Sequence, residues 1–146
     1  MGNALNSRRL LLFAATLIVA LTATLMYAGP NQTRGTGTPT YDPKTETTIR
    51  GVVQEVKEIS GPGRSTGTHL TVKAGNDSYE VHLGPTWYLT KEKYTFAKDD
   101  QVEVTGSKVK YQGADTIIAR QVKKDGNTWT LRDSQGIPLW SRQKNR

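Results

Sequence analysis

Cysteine is absent from all 146 residues. Its absence excludes disulfides, thiolate metal sites, haem attached through cysteine and thiol catalysis. Histidine is scarce: His69 and His82 are the only two, so imidazole chemistry runs through that pair or not at all. Acidic residues are outnumbered, 13 against 20, for a formal charge of +7. Leaving out the first thirty residues removes Arg8 and Arg9; 18 basic against 13 acidic side chains still leaves +5. That excess is moderate and spread out, which describes a basic soluble surface rather than a dedicated nucleic-acid stripe. Catalytic signatures are missing too. There is no Gly-x-Ser-x-Gly elbow, His-Glu-x-x-His helix or phosphate-cradling glycine loop, so the expectation is a protein that is not an enzyme.

One long apolar run is present, and it lies at the start. Residues 10–27 are uncharged and largely apolar, preceded by Arg8 and Arg9. Eighteen such residues sit at the lower end of what spans a bilayer. Residues 1–28 are therefore a signal peptide or a membrane anchor. Cleavage after Ala23 or Ala28 would place Leu21 or Met26 at the −3 position, and neither site is clean. The paired arginines loosely resemble a twin-arginine export signal. In every version the basic end stays cytoplasmic and the rest is exported. The expected compartment is the periplasm, with the protein held at the inner membrane or released after cleavage. Residues 29–44, rich in Gly, Pro, Thr and Asn, read as a flexible linker.

The remainder, 45–140, is read as one domain built of strands, followed by a basic tail, 141–146. Residues 45–59 form a first strand with a bulge expected at Gly51, beside adjacent Val52 and Val53. Residues 68–73 and 78–83 make a hairpin. A turn centred on Gly75-Asn76 pairs residues whose numbers add to 151. Leu70 then faces Val81 and Val72 faces Tyr79 on one side; His69 faces His82 and Thr71 faces Glu80 on the other. Gly84-Pro85 ends the ladder, because proline offers no amide hydrogen. A short helix within 85–94 carries Trp87, Tyr88 and Leu89 as an apolar plug. Strands follow at 101–111, kinked at Gly106, at 115–123 and at 128–132. Trp140 is expected to fold back over a barrel edge. Three strands, a short helix, two strands and an added hairpin arm is the order of an OB-fold. The predicted class is all-β: an OB-fold-like five- to six-stranded Greek-key barrel, with one short helix between strands 3 and 4, preceded by an N-terminal apolar helix. Another small barrel or sandwich is the alternative.

The wording of several segments adds to this. Val81-His82-Leu83-Gly84-Pro85-Thr86-Trp87-Tyr88-Leu89, Asp100-Gln101-Val102-Glu103-Val104-Thr105-Gly106-Ser107, Ile118-Ala119-Arg120, and Leu131-Arg132-Asp133 through Gly136, Pro138 and Trp140 resemble a family of small exported bacterial proteins of largely unknown function. More loosely, the chain resembles the domain named for the magnetosome proteins MamS and MamX. The resemblance runs over about 47–140 and implies a periplasmic OB-like domain, not a known reaction. MamX-type proteins carry cysteine haem-attachment motifs; this chain has no cysteine, so that chemistry does not carry over.

Three functional readings follow. The first is a non-enzymatic exported binding or assembly module recognising a protein or envelope component. Its barrel face would offer His69, Thr71, Lys73, Glu80 and His82, with Arg64 and Tyr111 from flanking loops. The second is metal handling. Two imidazoles and a carboxylate on one sheet face are ligand types suited to a divalent transition metal such as zinc, copper or nickel. A register slip of one residue would separate them, and a plain solvated ribbon is the competing reading. No other cofactor is expected. The third is oligonucleotide binding. Its face lacks an aromatic ring for bases to stack on, and stacking contributes about 1–3 kcal/mol per base; this and export argue against nucleic acid. Trp87, Tyr88, Trp129 and Trp140 read as core and edge cover rather than a ligand pocket. Arg120 and Arg132 are expected to pair with Asp115 and Asp133 or to be solvated, with a local turn preferred for Arg132 and Asp133.

Overall fold

A computed structural model describes residues 38–143 of the chain. The expected signal or anchor helix, the linker up to residue 37 and the last three residues of the tail lie outside the described residues. Six strands and one short helix follow in the predicted order: β1 (Glu46–Ser60), β2 (Thr66–Ala74), β3 (Asp77–Pro85), α1 (Thr86–Lys91), β4 (Gln101–Tyr111), β5 (Ala114–Lys124) and β6 (Asn127–Thr130). The sheet order is β3-β2-β1-β4-β5-β6, and β3 also pairs in parallel with β5. That last pairing closes a five-stranded barrel, β1-β2-β3-β5-β4, with β6 as an outer arm. This is the OB-fold arrangement.

The hairpin β2–β3 shows how local chemistry sets register. Gly75 adopts φ 63°, which glycine tolerates at no steric cost. The two-residue turn pairs Leu70 with Val81, Val72 with Tyr79, His69 with His82 and Thr71 with Glu80. Leu70, Val72, Val81 and Leu83 are fully buried, joined by Val104, Ile117, Val122 and Leu131 from the other side. Burying one such side chain is worth roughly 1.5–3 kcal/mol.

Three details differ from expectation. The β1–β2 register shifts between Val53 and Glu55, not at Gly51, which stays in its ladder with Val102. Gly51 serves close approach instead: a Cβ there would lie 2.2 Å from the Lys73 carbonyl oxygen. Trp87 does not belong to the plug. Tyr88 and Leu89 are buried, but Trp87 is 48% exposed, because a step of about 100° per residue turns it off the face those two share. Finally, β6 ends at Thr130 rather than Arg132. Leu131 enters the core, and the chain doubles back, with Leu139 N–H donating to the Leu131 carbonyl at 3.0 Å. The Asp133 carboxylate accepts from the amides of Gln135 and Ile137, both at 3.0 Å, which fixes the predicted turn. Trp140 folds back as expected and packs on Gly84, where a Cβ would lie 2.7 Å from its ring.

The arginine pairings also change. Arg120 grips Glu46 with two hydrogen bonds, 2.8 and 2.9 Å, while Asp115 is taken by Lys110 at 2.5 Å and Lys108 at 3.8 Å. Strand register decides this, since Lys110 stands opposite Asp115 across β4–β5. The Tyr41 hydroxyl also donates to Glu46. Burial and that carboxylate push the Tyr41 phenol up to about 12.

Candidate functional site

The outer face of β2 and β3 gathers both imidazoles. The side chains of His69 and His82 alternate away from the core side chains beside them, and the two-residue turn places them opposite each other. Their rings stack, with centroids 3.8 Å apart and planes 26° apart. Glu80 lies two residues from His82 on the same side of β3. Its Oε1 accepts from His69 Nδ1 at 2.8 Å and from His82 Nε2 at 3.2 Å. One donor atom from each of the three residues lies within 4.8 Å of the other two.

His82 is 9% exposed. The His69 ring covers one side, and the Tyr111 ring meets it edge-on at 5.7 Å. Burial first, and the neighbouring His69 second, outweigh the attraction of Glu80 and bring the His82 pKa down to about 4. At neutral pH this imidazole is uncharged, the form that binds a metal. Glu80 moves the same way for a different reason. Burial pushes its carboxyl up, but the hydrogen bond from His69 and the two imidazoles outweigh burial, and its pKa falls below the ordinary value. The carboxylate is ionised and accepting.

The other predicted residues divide. Tyr111 joins the pair, as described. Thr71 is half-buried opposite Glu80. Lys73 sits farther along the same strand. With Arg50 and Lys98 it lines a separate open groove of about 600 Å³, away from the imidazoles. Arg64 is exposed in the turn after β1, at φ 62°, and makes no hydrogen bond or ion pair to the cluster.

Arg132 neither pairs with Asp133 nor is solvated as expected, and Asp133 is taken by Arg142 at 2.8 Å. Only 8% exposed, Arg132 has no carboxylate partner among the described residues. Its NH1 donates to the Leu83 carbonyl at 3.0 Å and also to that of Ala119. Its guanidinium lies 4.8 Å from the centre of the Trp140 ring. Burial brings its pKa down to about 10, so it remains a cation at neutral pH. No spacing signal marks such a residue, because its partners are backbone carbonyls on two distant strands.

A family model, that of the MamS/MamX magnetosome protein family, matches residues 45–129, more than half of the chain. The chain belongs to the MamS/MamX magnetosome protein family. The matched range holds His69, Glu80, His82 and Tyr111, whereas Arg132 and Trp140 lie beyond it. Comparison with curated proteins finds no match.

Proposed function

We propose that this MamS/MamX-family chain is a non-enzymatic, exported metal-binding module that holds one divalent transition ion on His69, Glu80 and His82. The single observation carrying the reading is the convergence of two imidazole nitrogens and one carboxylate oxygen within 4.8 Å. The 2.8 and 3.2 Å contacts to Glu80 Oε1 are close to the edge of a tetrahedron whose metal–ligand bonds are about 2.0–2.2 Å, which is roughly 3.4 Å. Small side-chain rotations let an ion replace the two hydrogen bonds. Two nitrogens and an oxygen suit zinc, copper or nickel. Three protein ligands leave a coordination position for water or for an acceptor, which fits carrying and handing over an ion better than a closed structural site.

Export rests on the apolar run 10–27 behind Arg8 and Arg9. The ion reading stands in place of recognition of a protein or envelope component, and the convergence of His69, Glu80 and His82 is what favours it. Calorimetric titration of the full chain with Zn(II), Cu(II) and Ni(II) tests this. One ion per chain is expected for at least one metal, and His69→Ala/His82→Ala should bind none at that site. A wild type that takes up no metal, or a double variant that binds as tightly as the wild type, ends the reading.

A further inference from the structure

Parallel pairing of β3 with β5 closes the barrel, and it is short. The pairs are Glu80 with Thr116, Val81 with Ile117 and His82 with Ile118. His82, a proposed ion ligand, therefore occupies the last rung. The next residues on the two strands are Leu83 and Ala119. Their carbonyls do not continue the ladder; a single guanidinium nitrogen of Arg132 binds both. The side chain stands in for the missing rung.

Arg132 is itself held firmly. Its amide donates to the Arg120 carbonyl at 3.1 Å, and its backbone bridges to Pro138. Trp140 covers its guanidinium and rests on Gly84, two residues past His82. Clamp and ring thus meet the strand immediately after the ligand. A buried cation with no carboxylate is an expensive way to fill space, and a well-packed apolar side chain of similar size is often as stable or more so. What the apolar side chain cannot do is tie two carbonyls from different strands together.

We propose that Arg132 is a positioning residue for the ion site: by bridging Leu83 and Ala119 it fixes the end of β3 that carries His82. The claim rests on the metal reading for its functional meaning but is tested separately from it. Two readouts in the full chain suffice, the proton Overhauser contact between the His69 and His82 rings and the ion dissociation constant from calorimetry. Arg132→Met keeps an apolar stem and loses both donated bonds. It should lose the ring contact and bind the ion at least 10-fold more weakly. Arg132→Lys, whose ammonium can still reach carbonyls, should retain the ring contact. Val104→Ala, a core truncation in β4, should lower Tm while leaving ring contact and affinity as in the wild type. Should Arg132→Met not fold, Trp140→Ala, which exposes the clamp to water, should weaken the ring contact and reduce affinity several-fold. Arg132→Met with a wild-type ring contact, Val104→Ala behaving like Arg132→Met, or a Trp140→Ala identical to wild type would each overturn the proposal. Failure of the wild type to bind metal would sink only the ion; the ring contact still decides whether Arg132 positions His82.

Discussion

His82 makes the stability of the chain depend on pH in a defined direction. Unfolded, its imidazole has an ordinary pKa of 6.5; folded, it titrates at about 4. Above pH 6.5 the ring is neutral in both states. Between 6.5 and 4 the unfolded chain takes up a proton that the folded chain refuses, so stability falls as pH falls. Below 4 both states carry the proton and that loss is complete. Glu80, whose pKa is lowered, adds a loss of the same sign beneath its ordinary 4.5. At about 1.36 kcal/mol per unit, the His82 share is about 3 kcal/mol. Urea unfolding at pH 7 and pH 4 should show a drop of that order in the wild type, and a markedly smaller one in His82→Asn. Equal drops in both would place the acid sensitivity elsewhere. That His69 faces His82 was legible in the sequence, since a two-residue turn dictates the pairing. The depth of His82 was not: the Tyr111 ring that meets it edge-on comes from the far end of β4.

At the scale of elements, β4 carries a backbone constraint as tight as the one at Gly51. Its register with β5 shifts between Thr105 and Gly106. There the chains come so close that a Cβ on Gly106 would lie 2.2 Å from the Ile118 carbonyl oxygen and 2.9 Å from the Ala119 Cα. Both obstacles are backbone, so neither can swing aside. Gly106→Ala should destabilise by about 1–3 kcal/mol, in the range of other overpacked sites. Denaturant titration should then show a lower midpoint with an unchanged slope; an unaltered midpoint would mean that the strands slide apart freely. The glycine kink was readable from a pattern interrupted in mid-strand. Placement of the β1 bulge at Val53–Glu55 instead of Gly51 was not, because β1 pairs with β2 and β4 at once and their combined register decides where the extra residue goes. Trp87 is a similar case: an apolar cluster of three announces a plug, but only the helix orientation selects Tyr88 and Leu89 for it.

For the molecule as a whole, closure depends on few contacts. Three parallel pairs join β3 to β5, and the segment beyond Thr130 adds the core side chain Leu131, the Arg132 clamp and the Trp140 cover. Losing a buried leucine alone typically costs 2–5 kcal/mol, roughly, for truncation to alanine. Domains of this size are stable by only about 5–15 kcal/mol. A chain ending at Thr130 should therefore melt far below the full chain, with a broad transition in place of a single sharp one. Calorimetry checks this, and a Tm within a few degrees of the full chain would show that the family-matched part closes unaided.

Alternation of apolar residues and glycine turns are short-range features, and they were enough to establish strand order, hairpin register and the OB-like class. They also put His69, Glu80 and His82 on one face, because neighbours along a two-stranded ribbon follow from counting. The break expected at Gly84-Pro85 is instead a register shift, after which Gly84 still pairs with Thr68 and Pro85 with Gly67. Arg120 chose Glu46, Arg132 went under Trp140, and His82 became buried only once β3 met β5. Those outcomes depend on which distant backbone groups closure leaves unpaired and which side chains then lie within reach, and no periodicity along the chain encodes that.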